Sequence, residues 1–242
     1  MKIGVLALQG AVAEHIEMLS ALGTEAIPVR LSSELDGLDA LIIPGGESTT
    51  IGKLLSDYGL IEPIRKLASQ GFPIFGTCAG LVLLARKVPN LQVETISAMD
   101  IEVERNAFGR QVDSFETDLQ IPALGDGNFH GVFIRAPIIE KAERGVEILC
   151  KLNGNPVAVR QGKLLACAFH PELTDDSRFH KYFLDLVNNT TRHSEGAPIA
   201  SERPKNLSPI KPHKEPGDPS PRITSGLRMT CKGHSGEDVC KK

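Results

Sequence analysis

The chain has 242 residues, with 27 Lys+Arg against 30 Asp+Glu and a formal net charge of −3. That length sustains one sizeable α/β core, and a near-neutral balance offers no electrostatic footprint for nucleic acid. Five cysteines, three of them (Cys78, Cys150 and Cys167) in apolar or turn contexts, read as thiols of a reducing compartment rather than a disulfide frame. The sequence opens directly on a strand pattern, with no signal peptide and no 18-residue apolar run, so a soluble, cytoplasmic protein without membrane contact is expected.

In chain order, residues 2–8 read as a buried strand and residues 11–22 as a helix. Val12, His15, Ile16 and Leu19 form the inner face of that helix, and Gly23 terminates it. Residues 25–30 and 40–43 are further strands. The segment Pro44-Gly45-Gly46-Glu47-Ser48-Thr49-Thr50 is a Gly-Gly turn followed by Ser/Thr positions suited to capping a helix. It is not a P-loop, because the terminal Gly-Lys-Ser/Thr is missing. Residues 61–70 read as a helix ended by Gly71. The strand Pro73-Ile74-Phe75 then leads to Gly76-Thr77-Cys78-Ala79-Gly80 and the helix-like run 81–85.

Strand, sharp turn and helix, with cysteine at the apex and glycine two positions to either side, is the context of a nucleophile elbow. A cysteine there faces the unpaired N–H groups of a helix start, which also suit a developing oxyanion. Read alone, Cys78 is equally a core cysteine beside a tight turn. From about residue 101 the strands crowd together, and 157–160 with 164–169 reads as a hairpin around Gly162. That strand runs into Phe169-His170-Pro171-Glu172. Residues two apart in an extended segment share a face, so His170 and Glu172 suit a base and its orienting carboxylate. Residues 177–188 form the last helix, capped by Asp176 or Ser177. His15 and His180 read as core or surface residues rather than ligands. Continuous apolar strands alternating with helices imply a mostly parallel sheet covered on both faces.

Together these segments resemble the class I, triad-type glutamine amidotransferases, and within them the glutaminase subunits of pyridoxal 5′-phosphate synthase. Four more segments fit in the same order: Gly4-Val5-Leu6-Ala7-Leu8-Gln9-Gly10 with Glu14-His15; Glu104-Arg105 through Gln111 with Asp113 to Glu116; Phe133-Ile134-Arg135-Ala136-Pro137; and His170-Pro171-Glu172-Leu173. The resemblance covers about residues 1–190. It implies a flavodoxin-like three-layer α/β sandwich. It also implies Cys78 as nucleophile, His170 as base and Glu172 as its orienter. Gly46, Glu47, Ser48, Arg105, Ile134 and Arg135 would hold L-glutamine. Gln9 and Gly10 would lie in a loop that faces the synthase and helps form the oxyanion site. The implied activity is hydrolysis of glutamine to glutamate and ammonia, with the ammonia channelled to a synthase subunit of the PdxS type in a large hetero-oligomer. No cofactor or metal is called for.

Two other readings stay open at this point: a glutaminase subunit of a different class I amidotransferase, and a non-enzymatic binding module of the same fold. One departure stands out. Ser97 and Ala98 occupy positions, just before Asp100, where the family pattern has glycines, so the turn leading to Arg105 is expected to differ. A glutaminase domain over residues 1–192 is followed by residues 193–242, which carry 7 of the 16 prolines and 9 Lys+Arg against 6 Asp+Glu. With few large apolar residues and no periodicity, that extension is expected to be disordered. Cys231, His234 and Cys240 within it match no common zinc spacing.

Overall fold

The computed structural model describes residues 1–105 and 114–194. The expected disorder of the extension from residue 195 onward, and residues 106–113 of the matched motif, lie outside the described residues. The elements in order are β1 (Lys2–Leu6), α1 (Val12–Ala21), β2 (Glu25–Val29), β3 (Ala40–Ile43), α2 (Ser48–Asp57), α3 (Ile61–Ser69), β4 (Ile74–Thr77) and α4 (Ala79–Leu84). There follow β5 (Ala85–Lys87), β6 (Met99–Glu104), β7 (Ser114–Leu119), β8 (Phe129–Ile134), β9 (Ile138–Ala142), β10 (Glu147–Leu152), β11 (Asn155–Gln161), β12 (Leu164–Cys167) and α5 (Arg178–Ser194).

Seven strands form one sheet in the order β10-β11-β12-β4-β3-β1-β2. The five from β12 to β2 are parallel, and β11 and β10 add an antiparallel edge. Alternation along the central strands sends Ile3, Val5, Ala40, Ile42 and Phe75 to one face and Leu6, Leu41, Ile43 and Ile74 to the other. The first face is covered by α1 (Leu19) and α5 (Phe179, Phe183), the second by α2 (Ile51, Leu55), α3 (Ile61, Ile64) and α4 (Leu81, Leu83). This is the expected three-layer sandwich with a mostly parallel sheet. The chain order reverses between β1 and β3, and in open α/β sheets such a switch opens a crevice at the carboxyl ends of the strands.

Several boundaries differ from the sequence reading. β1 stops at Leu6, although Ala7 N–H still donates to Val29 O at 2.7 Å, and the following residues turn toward Gly45. α1 ends as expected: Gly23 takes φ 71° and its N–H donates to Ser20 O, closing the last turn. α4 starts two residues earlier than expected, and Ala85 already belongs to β5. α5 runs to Ser194, beyond 188. At its start the Asp176 carboxylate accepts from Arg178 N–H at 3.0 Å. α2 is capped not by Ser or Thr but by Glu47, whose carboxylate accepts from Thr49 N–H and Thr50 N–H.

The crowded strands after residue 101 are a three-stranded sheet, β5-β6-β9, and a two-stranded ribbon, β7-β8. The first packs Met99, Ile101, Val103 and Ile139 on one side of the core, and the ribbon packs Leu119, Phe129 and Phe133 on the other. Ser97, in a glycine position of the family pattern, takes φ 55°. It is held there by Thr95 Oγ1 at 2.8 Å and by flanking bonds from Ile96 N–H to Leu83 O and Ala98 N–H to Leu84 O. Among the described residues no helix is long and apolar enough to cross a membrane.

Candidate active site

β4 delivers Cys78 to the carboxyl edge of the sheet. Its N–H donates to Cys167 O of β12 at 2.8 Å, and the chain turns into α4 with Cys78 at φ 48°. The flanking glycines are there for space. A Cβ on Gly76 would lie 2.7 Å from the Gly80 carbonyl carbon, and one on Gly80 would overlap the Ile43 carbonyl oxygen. Strand and helix can approach this closely only without side chains. The first N–H groups of α4, which follows Cys78 directly, have no partner within the helix.

β12 ends at Cys167, and the next residues are pinned from the neighbouring ribbon: His170 N–H donates to Val132 O of β8 at 2.8 Å. Pro171 begins a single 3₁₀ turn, Pro171–Leu173, that folds Glu172 back beneath the imidazole. His170 Nδ1 donates to Glu172 Oε1 at 2.7 Å, and the Glu172 side chain is fully buried. The other ring nitrogen is left for Cys78. Burial depresses the His170 pKa, but the hydrogen bonds and negative charge of Cys78 and Glu172 outweigh it and push the value up to about 10. Cys78 Sγ also lies 3.8 Å from Ile134 O at the end of β8.

Cys78 and His170 open into a cleft of about 250 Å³. Its walls include Gln9, Gly46, Glu47, Ser48, Arg105, Ile134 and Arg135. The sequence reading had picked each of these. Gly10 and Glu172 do not line it: Glu172 stands behind His170, and Gly10 packs so tightly on Gly45 that a Cβ would overlap the Gly45 carbonyl oxygen. Gly10, at φ 111°, also brings Ala11 N–H to Gly45 O at 3.0 Å. Gln9 Oε1 accepts from Glu47 N–H at 2.8 Å. The first loop and the Gly45–Glu47 turn are thereby laced together.

Arg105 donates to Thr49 Oγ1 at 2.9 Å and to Ser48 Oγ at 3.3 Å, and lies 4.0 Å from Glu47 Oε1. The Glu47 carboxyl is raised by burial but lowered more by hydrogen bonds from the Thr50 hydroxyl and the Thr49 and Thr50 N–H groups, and settles at about 2. One wall of the cleft is therefore a carboxylate beside a guanidinium. That pairing can receive the ammonium and carboxylate ends of an amino acid.

The sequence reading missed Ala79, Val82 and Pro137 in the walls. Ala79 and Pro137 sit inside motifs already singled out. It also missed what stands behind Glu172. Thr77 Oγ1 accepts from Gly45 N–H at 2.9 Å and lies 3.2 Å from His15 Nε2. His15 and His180 are both fully buried, with His15 Nδ1 2.9 Å from His180 Nε2. No spacing rule joins residues 15, 77, 172 and 180; only the docking of α1 and α5 on the same sheet face does.

Residues 5–189 match the model of the SNO glutamine amidotransferase family. The chain is 57% identical over 187 residues to a pyridoxal 5′-phosphate synthase subunit PdxT of Moorella thermoacetica, covering 77% of this chain and 100% of that protein. It is 58% identical over 190 residues to the subunit of the same name from Herpetosiphon aurantiacus, again 77% of this chain and 100% of the relative. A solved structure described as a glutamine amidotransferase superposes with a TM-score of 0.73 at 53% identity, over 77% of this chain and 98% of that one. With a family model spanning most of the chain and relatives matched along their whole length, this chain belongs to the SNO glutamine amidotransferase family.

Proposed function

We propose that this protein is the glutaminase subunit of a pyridoxal 5′-phosphate synthase. It hydrolyses L-glutamine to L-glutamate and ammonia and passes the ammonia to a synthase subunit of the PdxS type. The observation that carries the reading is Cys78 beside His170, with Glu172 buried behind the imidazole, facing a cleft walled by Glu47, Ser48 and Arg105.

With His170 already protonated at neutral pH, the Cys78 sulfur attacks the side-chain amide carbon of glutamine. Backbone N–H groups at the start of α4 stabilise the tetrahedral oxyanion. Protonated His170 gives its proton to the departing nitrogen, and ammonia leaves a thioester on Cys78. Acylation removes the hydrogen bond of Cys78, the largest of the influences that raise the His170 pKa to about 10, and its charge as well, leaving those of Glu172. The imidazole then becomes a base for water. Water adds to the thioester, the sulfur leaves, and glutamate is released. Glu172 keeps Nδ1 protonated and the ring aimed throughout. Ile134 and Arg135, the latter held at φ 44°, line the cleft and would contact the substrate.

Gln9 and Gly10 form the loop that a docked synthase would press, and the bond from Glu47 N–H to Gln9 Oε1 gives that pressure a route to the glutamine site. Many such subunits would decorate a synthase ring in a large hetero-oligomer. Free Cys78, Cys150 and Cys167 suit a reducing compartment, the cytoplasm. The domain boundary falls near residue 192, with residues 193–242 as an extension outside the catalytic unit.

The test is glutamate release from glutamine, with and without an added PdxS-type subunit, for the native chain and for Cys78→Ala. Strong stimulation by the synthase, abolished in Cys78→Ala while binding of the two proteins persists, is the expected result. A folded native chain that releases no glutamate in either condition overturns the reading and leaves a binding module.

A further inference from the structure

Glu172 uses one oxygen on His170; the other, Oε2, is buried without a hydrogen-bond partner within ordinary range among the described residues. His15 Nε2 lies 3.5 Å from it. Behind His15 stands His180 Nε2, 2.9 Å from His15 Nδ1, and beyond that His180 Nδ1 is buried with no partner among the described residues. Buried polar atoms are nearly always satisfied, so a row of two marginal ones at the rear of a reacting group calls for an explanation.

Hydrogen-bond accounting favours one neutral arrangement over the other. If His15 carried its proton on Nδ1, its bare Nε2 would face the Glu172 carboxylate lone pair to lone pair, and His180 would bury an unpaired N–H on Nδ1. With the protons on His180 Nε2 and His15 Nε2, His180 donates to His15 Nδ1, and His15 donates toward Glu172 Oε2 and Thr77 Oγ1. Of the two imidazoles, only the His180 Nδ1 lone pair then goes unpaired, and their N–H groups run in sequence toward Thr77 and Glu172. From these distances and this donor balance we infer that His15, oriented by His180, is a positioning residue for the reaction: it donates to the rear oxygen of Glu172 and so fixes the carboxylate that aims His170.

The proposal deepens the glutaminase reading and rests on it. The groups facing His15 are Thr77 of β4, Glu172 and His170 after β12, and His180 of α5, with the Phe75 ring edge-on at 6.3 Å. Burial holds His15 well below the usual imidazole range, helped by the neighbouring His180 and His170. Burial likewise pushes His180 down to about 4. Both rings are therefore neutral donors at working pH rather than counter-charges.

Two measurements test it. Imidazole ¹⁵N chemical shifts of the native full-length chain must show His15 and His180 neutral and protonated on Nε2 across pH 5–9. That readout needs no turnover, so it stands or falls apart from the glutaminase reading. A protonated His15, or a proton on Nδ1 of either ring, overturns the proposal. The second measurement is steady-state glutaminase kinetics with the PdxS-type subunit. His15→Leu should lower kcat by about 10–100-fold with KM for glutamine unchanged, as when a hydrogen-bond partner behind a reacting group is lost. His15→Gln, which restores an N–H near the Nε2 position, should keep kcat within about threefold of native. A folded His15→Leu as active as the native enzyme, or equal losses in the Leu and Gln variants, reduces His15 to core filling. If His15→Leu does not fold, His180→Phe takes its place. It leaves His15 free to turn over its tautomer, and unchanged kcat there overturns the proposal equally.

Discussion

Gly45 offers a test of how tightly the proposed reacting groups are held. It follows β3, and its N–H donates to Thr77 Oγ1. A Cβ there would stand 2.8 Å from His170 Nδ1, closer still to its Cε1, and 3.3 Å from Cys78 Cβ. Carbon and ring atoms prefer about 3.5–4.0 Å. Gly45→Ala therefore requires the imidazole to withdraw by roughly 1 Å. His170 cannot yield toward Glu172, because the 2.7 Å bond there is already short and the carboxylate is walled in. A misplacement of about 1 Å at a reacting centre costs on the order of 100-fold in rate, and overpacking costs about 1–3 kcal/mol of stability. The expectation for Gly45→Ala is a kcat loss near 100-fold, a KM for glutamine within about threefold of native, and a folded protein with lowered Tm. Glutaminase kinetics with saturating synthase, beside a thermal melt, measure it. A variant with native kcat would refute the reasoning, because the ring would then have room that the structure denies it.

Arg105→Ala should raise KM for glutamine by about 10–100-fold with little change in kcat, the scale of a lost hydrogen bond to a charged group; a kcat effect without a KM effect would put Arg105 in the chemistry instead. The pH dependence of stability has two limbs. His170 has a folded pKa of about 10, above its ordinary 6.5, so its contribution is full below pH 6.5 and is lost as pH rises through about 10. His180 is depressed to about 4, so its contribution is present above pH 6.5 and is lost as pH falls through about 4. Tm measured from pH 4 to 11 should peak near neutrality. Cys78→Ala, which removes the first of the influences raising His170, should flatten the alkaline limb, and an unaltered limb would contradict the pairing.

The parts of the fold legible in the sequence are those where one local rule dominates. Apolar runs announced β1, β3 and β4, and Gly23 and Gly71 closed helices at positive φ. The elbow was legible because glycine at 76 and 80 answers a steric demand that no other residue meets. The cap of α2 was misread because Ser48, Thr49 and Thr50 all suit the role, while Glu47 wins by reaching two N–H groups at once. β7 hid because Ser114-Phe115-Glu116-Thr117-Asp118 alternates around a half-covered ribbon, with little that separates it from a loop. β10 went unseen, although Asn153-Gly154, both at positive φ, is a strong hairpin signal. The cleft residues came through the family resemblance to their motifs. The pairing of His15, itself in a matched segment, with His180 did not, because it arises only where two distant helices share one sheet face.

The left-handed backbone at Cys78 has a consequence for how this molecule can change. A non-glycine residue held in such a region costs on the order of 1–3 kcal/mol. Glycine at position 78 would relieve that cost, and a chain selected for folding alone would gain by acquiring it. The same exchange removes the sulfur. On the proposed mechanism durability and turnover are thus in opposition at a single residue, and a variant that gained thermal resistance there would be expected to lose its supply of ammonia.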